Sequence, residues 1–529
     1  MRSKIFVIVF AGLMMQMASC KKSDFEEYYT DPAKSQTTTV EKQFAGFLYS
    51  NKDFIYPRYT NYFVTLRITI NRYIQTLGWP NSTSQYVPGI AAIDAKWNAY
   101  YNMLTQYREL ELTFDKLIPE EQNDKRIFML AATIFLYDQT QQMVDLHGDI
   151  PFAAAGKLHQ NGGNYIQSFA EYDGAEAIYT EMLDNLKSFA DELNTIDISL
   201  VKNDFVNQDI VNGGDLEMWK KYCNSLRLRM LMRVSDVASF QARAASEITA
   251  IIADQAKYPL VLDNDDNIQM NVYVTSGDAK LYSDLKDALE GSGWYANTAG
   301  KKMIDFMNTT ADPRQRTIFE PGANAGGVFI GVDPMSNESE QVAQVNSGVV
   351  AIYNRSTISR NLKIPGVLIN AAEVNLLLAE IAARAGENAA AKTAYEKAIA
   401  LSVEYWNNIR AASGDNTTSA SPGTALQVAT YINHPSVSWD AATTLDQRIA
   451  LIATQKWIHM NILQAYENWA ETRRLDGVTF NFWEDNANAQ KQPPYRWFYG
   501  SSEKVYNTAN YEKVSAKDNL TTKIFWDVK

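Results

Sequence analysis

The sequence predicts an all-α-dominated protein: a scaffold of helical hairpins, a less regular, loop-rich portion, and a few short strands. Three observations predict it. Apolar residues recur at helical spacing over most of the chain. Residues 367–409 read as two such helices joined by a short turn. The stretches 259–300 and 311–365 are rich in Asp, Asn, Gly and Ser and lose the helical period. No clean linker interrupts 45–529, so these residues read as one large helical domain with an irregular excursion at about 259–365.

The pair at 367–409 sets the frame. Its first helix is read from Val367 to Ala385, with Val374, Leu377, Leu378 and Ile381 as the apolar face. Gly386 ends it in the left-handed conformation that glycine adopts freely. Ala391, Ala394, Tyr395, Ala398, Ile399 and Trp406 mark the facing stripe of the second. Small residues at 379, 382, 391 and 398 let the two backbones approach. Leu378, Ala379, Ala382, Gly386, Ala391, Tyr395 and Ala398 fit the tetratricopeptide spacing, with Asn375 where that frame expects Trp. An ordinary αα-hairpin fits the same residues. Either unit needs neighbours to bury its apolar face.

In chain order, residues 1–19 read as a signal peptide. Arg2 and Lys4 precede a short apolar run, and Met17-Ala18-Ser19-Cys20 is the pattern of bacterial lipoprotein cleavage, which leaves Cys20 as a lipidated N-terminus. Residues 20–44 read as a polar tether. Helical patterns follow at 58–77, 92–117 and 120–145, with the loop Gly78–Pro88 between the first two. Further helices are expected at 169–193, 215–236, 238–254 and, as one long element, 444–475. A small hairpin is expected near Ile268–Val274. Trp97, Trp219, Trp406, Trp457 and Trp469 sit in helical runs and are assigned to the core. Cys223, the second cysteine, reads as a small buried hydrophobe.

Composition narrows the function classes. The net charge of −12 argues against nucleic acid. Four histidines stand outside any zinc spacing, and Asp263-Asn-Asp-Asp-Asn267 lacks the Gly and the closing Glu of a calcium loop, so it reads as a solvated acidic turn and no metal or cofactor is expected. Phosphate-binding and nucleophile-elbow motifs are missing. Nothing singles out a carboxylate pair among the 61 acids.

Several segments, taken in order, resemble the SusD/RagB family and, within it, the starch-binding-associated SusD-like branch. They are Asp145-Leu-His-Gly-Asp-Ile-Pro-Phe152, the helix Trp219–Arg233, Ala372–Glu380, the Gln455–Trp457, Glu467–Trp469 and Arg473-Arg474 positions, Pro494–Tyr499 with Glu503 and Asn507, and Phe525-Trp526-Asp527. The resemblance implies an outer-membrane lipoprotein of Bacteroidetes type, exposed at the cell surface. Such a protein captures oligosaccharides, or in some branches peptides, as the lid of a SusC-like TonB-dependent transporter, and is not a catalyst. The candidate ligand residues are loop aromatics and their polar neighbours: Trp79, Asn81, Gln85 and Tyr86 in one loop, Trp294 and Tyr295 in another. Each aromatic is equally read as folded back on the core. An adaptor binding protein segments through a tetratricopeptide-like groove, and a secreted helical glycosidase, are the alternative functions.

Overall fold

The structure, a computed structural model, describes residues 38–272, 279–291, 295–419 and 421–529. The chain divides into two compact units, Met1–Thr39 and Val40–Lys529. Of the first unit only Thr38 and Thr39 are described, so Cys20 lies outside the described residues. The second unit is helical. Its helices of ten or more residues are α1 Val40–Ser50, α2 Ile90–Asp115, α3 Arg126–His147, α4 Ala175–Leu193, α5 Leu216–Arg233, α6 Gln241–Ala253, α7 Ala279–Glu290, α8 Lys301–Thr310, α9 Ala371–Arg384, α10 Asn388–Ala412, α11 Leu445–Met460 and α12 Ala465–Leu475. No described helix is long and apolar enough to cross a membrane.

Helix α1 starts inside the expected tether. Val40, Phe44, Phe47 and Leu48 are fully buried, and the Phe47 ring meets Phe135 of α3 edge-on at 5.6 Å. The unit Val40–Lys529 thus takes in residues 40–44, which the sequence reading gives to the tether.

The central pair α9–α10 forms as its spacing predicts. Gly386 has φ +79°, and Ala379, Ala391 and Ala398 are buried where the two helices meet. Two details differ. Residues Gly366–Ile369 are a strand, and the helix begins only after Asn370, whose side chain accepts from Glu373 N and caps it. Leu378 and Ile381 are half-buried, while Val374, Leu376 and Leu377 are the buried apolar residues. Helix α9 lies between two apolar clusters. Val374 and Leu377 join the one built on Phe44, Phe135 and Trp219, and Leu376 and Ala379 join the one built on Tyr62, Trp406 and Trp469.

Four short strands are present among the described residues: β1 Ile268–Met270, β2 Phe319–Glu320, β3 Ile352–Tyr353 and β4 Gly366–Ile369. The expected hairpin near 268–274 does not form among them. β1 instead pairs antiparallel with β4, Ile268 opposite Ile369, and β2 pairs with β3. Gly366 is needed there because a Cβ would lie 2.6 Å from the Ile55 side chain.

The expected 444–475 helix is two helices. Asn461, at φ +44°, turns the chain after Met460, and its carboxamide oxygen accepts from Tyr353 Oη at 2.6 Å and from Ile462 N at 2.9 Å. The five helix tryptophans assigned to the core are 0–3% exposed. Cys223 is buried too, and burial pushes its thiol up to about 12.

The motif segments converge on a buried ion network. Arg229 Nε donates to Glu373 Oε1 at 2.6 Å and its Nη1 to Asp138 Oδ1 at 3.0 Å. Arg233 pairs with Asp145, Glu467 and Glu471. Arg474 grips Glu380 through both Nη atoms at 2.8 and 2.6 Å, and Lys456 pairs with Glu471. Tyr179 Oη and Trp526 Nε1 donate to Asp145 Oδ1 at 2.6 and 2.7 Å. Burial raises the Asp138, Asp145 and Glu373 carboxyls against the pull of their arginines. Burial acts the same way on Glu380, but Arg474, Lys456 and Arg384 outweigh it and hold the group down at about 2. The cost of taking these charges out of water offsets much of their mutual attraction, whereas removing one partner of a pair leaves a buried charge uncompensated.

Candidate functional site

The run expected as a helix over 58–77 is a π-helix, Tyr59–Leu66, followed by one short turn, Ile70–Tyr73. The wider winding, rare in proteins and frequent at functional sites, places Tyr59, Phe63 and Arg67 four residues apart along it. The Tyr59 and Phe63 rings stack at 4.9 Å, and the Arg67 guanidinium lies 3.9 Å from the Phe63 centroid. Tyr59 is 41% exposed. The buried side of the same helix holds Tyr62, whose hydroxyl donates to Ala296 O at 2.5 Å.

That bond fixes the segment after Tyr295 against the π-helix. A second set of bonds fixes it to the Gly78–Pro88 loop. Gly78 N donates to Thr298 O at 2.8 Å, Thr298 Oγ1 returns a bond to Gly78 O, and Leu77 bridges Ala299. Only glycine fits at 78, because a Cβ would stand 2.6 Å from Ala299 O. These constraints bring Trp79 beside Tyr295, edge to face, with ring centroids 6.3 Å apart and planes at 80°. Both side chains are half-buried. Arg67 and Arg72 lie 4.8 and 4.7 Å from the indole, so cations back the aromatic pair.

The structure places the other expected residues differently. Asn81, Gln85 and Tyr86 are buried. Asn81 Nδ2 donates to Pro334 O and Ser336 O at 2.8 and 2.9 Å, and its backbone N–H to Gln341 Oε1. Gln85 Nε2 donates to Asn81 Oδ1 at 3.2 Å, and Tyr86 Oη to Trp483 O at 2.8 Å. These three set the shape of the loop that presents Trp79. Trp294 lies outside the described residues. Sequence reasoning missed Tyr59, Phe63 and Arg67, because a four-residue spacing reads as one face of an ordinary helix.

The space under Trp79 is a cavity of about 30 Å³ between Tyr86, Lys301 and Phe482, room for little more than a water. A larger ligand therefore meets the outer faces of Trp79 and Tyr295. Phe482 also lines a neighbouring open cleft of about 490 Å³ with Phe480, Tyr495 and Lys523. The outer surface at Trp79 and Tyr295 is thus made of aromatic faces with Arg67 and Arg72 beside them.

Residues 36–500 match the family described as starch-binding and associating with the outer membrane, a SusD-like family. The chain belongs to it. The SusD-like chain matches no curated protein. Among solved structures it is similar to a chitin-binding protein, at 21% identity and a TM-score of 0.71, over 92% of this chain and 100% of the other. It is similar as well to a chitin-binding SusD homolog from Flavobacterium johnsoniae, at 21% identity and a TM-score of 0.69, over 92% and 99% of the two chains. A SusD homolog from Bacteroides thetaiotaomicron is 20% identical, with a TM-score of 0.68 over 93% and 100%. These likenesses establish the SusD-like helical fold, as the motif segments imply.

Proposed function

We propose that this SusD-like protein is a cell-surface glycan-binding lipoprotein. On this reading it captures oligosaccharide for a SusC-like TonB-dependent transporter, is held in the outer membrane by lipid on Cys20, and performs no catalysis. The observation that carries the reading is the half-exposed Trp79–Tyr295 pair, backed by Arg67 and Arg72 and extended by Tyr59 and Phe63. Flat aromatic faces match the C–H faces of pyranose rings, and a shallow site releases its cargo as readily as delivery requires. The family's description as starch-binding, and the two chitin-binding structures of the same fold, support a glycan over a peptide.

The test combines a glycan and peptide array on the purified protein with affinity purification from membranes. Glycan binding and recovery of a TonB-dependent barrel are expected. Binding confined to peptides, or recovery of envelope-assembly proteins instead, overturns the reading. Cys20→Ala is expected to leave the membrane fraction; retention at the wild-type level after a high-salt wash overturns the lipid anchor.

A further inference from the structure

An open cleft of greater volume lies elsewhere in the described body. It has a volume of about 810 Å³ and shares no lining residue with the cavity under Trp79. The end of α1, the loop after Val206 and strand β1 form its walls.

The loop wall is rigid by construction. The Asp209 carboxylate accepts from Val211 N, Asn212 N and Gly214 N at 2.9 to 3.0 Å and from Trp219 Nε1 at 2.7 Å. Gly213 and Gly214 have φ of +61° and +76°, and a Cβ on Gly214 would lie 2.6 Å from Val206 Cα. Asn212 stands in this loop. Both polar atoms of its carboxamide are buried, and among the described residues neither has a hydrogen-bond partner. Neither atom has surface on the cleft, so this amide is part of the loop's own packing and not a ligand contact.

The strand wall follows the two-residue period. Ile268 and Met270 are buried, so Gln269 faces the cleft. Gln269 Nε2 donates to Asn271 Oδ1 at 2.7 Å, and both residues line the cleft. The helical wall offers Tyr49, 46% exposed, with Lys52 Nζ 4.1 Å from its ring centroid. Val206 and Ile210, 47% and 37% exposed, complete an apolar side. The charges are of both signs: Lys52 over Tyr49, Arg58 paired with Asp53, and Asp265 on the opposite wall.

We propose that this cleft is a second saccharide site, which takes a neutral oligosaccharide. Tyr49 supplies the flat face, and the Gln269 and Asn271 amides pair with hydroxyls. The volume falls in the range of small-ligand sites, and the rigid Asp209 loop lowers the ordering cost of binding. The mixed charge disfavours strongly anionic or cationic ligands. The choice of a saccharide rests on the glycan reading of the Trp79 site.

Hydrogen–deuterium exchange on the purified full-length protein tests this, with maltoheptaose and chitohexaose as probes at millimolar concentration. At least one probe is expected to protect 206–218 and 264–271 as well as the segment around Trp79. Tyr49→Ala and Gln269→Leu are expected to weaken the first protection roughly tenfold in apparent affinity and leave the second. Trp79→Ala is expected to do the reverse. Protection around Trp79 alone overturns the second site and leaves the first. Protection at 206–218 that survives both Tyr49→Ala and Gln269→Leu overturns the assigned contacts. Protection at neither site overturns the second site along with the glycan reading on which it rests.

Discussion

Arg229 and Glu373 are 144 positions apart, yet Arg229 Nε donates to Glu373 Oε1 at 2.6 Å, with each side chain no more than 3% exposed. The contact joins α5, the helix that carries Trp219, to α9, the first helix of the central pair. Arg229 also serves Asp138 of α3 and Leu368 O of β4, so one guanidinium ties four elements together. Arg229→Met would leave two carboxylates buried without a counter-charge. It is expected to cost about 3–5 kcal/mol. Adding Glu373→Gln removes one of those charges and should return part of the loss. Urea midpoints of the single and double variants check this; a double variant no better than Arg229→Met would show that Glu373 is not its principal partner.

Acid should weaken the fold through two histidines. His459 accepts from Ser402 Oγ at Nδ1 and donates from Nε2 to Asn370 Oδ1 at 2.7 Å, while Ser402 in turn accepts from Arg314. Burial, then Arg314, lowers its pKa to about 3. His147, which donates from Nδ1 to Phe498 O, is likewise lowered to about 3 by burial and then Arg496. The unfolded imidazoles take a proton near pH 6.5, whereas the folded ones stay neutral down to about 3. Stability is therefore lost as pH falls through that window, by roughly 2 kcal/mol per histidine between pH 7 and 5. The raised Asp138 and Asp145 carboxyls act in the opposite sense, so the informative quantity is a difference. His459→Gln, which keeps a donor and an acceptor, should melt with a shallower pH dependence than the wild type over pH 7 to 5. Parallel curves would refute the neutral assignment.

Packing in the central pair gives a graded test. Leu377 is 1% exposed, and Leu377→Ala should cost about 2–5 kcal/mol. Leu378 is half-buried, and its truncation should cost about 1 kcal/mol. Equal losses in thermal melts would mean that the two faces of α9 are packed alike.

These cases also show which features the sequence carries. Helix positions were legible because the 3.6-residue period is local, and Arg229, Arg233, Glu373 and Glu380 stood in recognisable segments although their meeting point did not. Val367-Leu-Ile369 read as helix because nothing nearby reveals that its partner is Ile268–Met270. The break at Asn461 was hidden for the same reason, since Tyr353, which anchors it, is 108 positions away. In the candidate site, Trp79 and Tyr295 were visible as loop aromatics. The burial of Asn81 and Tyr86 was not, because their partners Pro334 and Trp483 lie 253 and 397 positions away. Local pattern carries secondary structure; the state of a loop side chain depends on what distant chain folds over it.

The last prediction separates presentation from packing among the aromatics. Trp79 and Tyr295 meet edge to face and keep outer surface, whereas Trp469 is 3% exposed, with Arg473 laid 3.9 Å from its ring and Tyr73 at 5.7 Å. Alanine at Trp79 or Tyr295 is expected to weaken binding of the best glycan from the array by about 1–3 kcal/mol, the range of a binding hot spot. The melting temperature should change little at Tyr295. A moderate fall is expected at Trp79, because Arg67 and Arg72 lose the ring they face. Trp469→Ala should instead cost about 3–5 kcal/mol of stability and alter binding only by unfolding. Calorimetry beside thermal melts of the three variants reads both quantities. If Trp79→Ala and Tyr295→Ala bind as the wild type does, the pair is structural. The glycan would then have to meet the protein in the adjoining cleft of Phe480, Phe482 and Tyr495, where Tyr495→Ala is the next variant to measure.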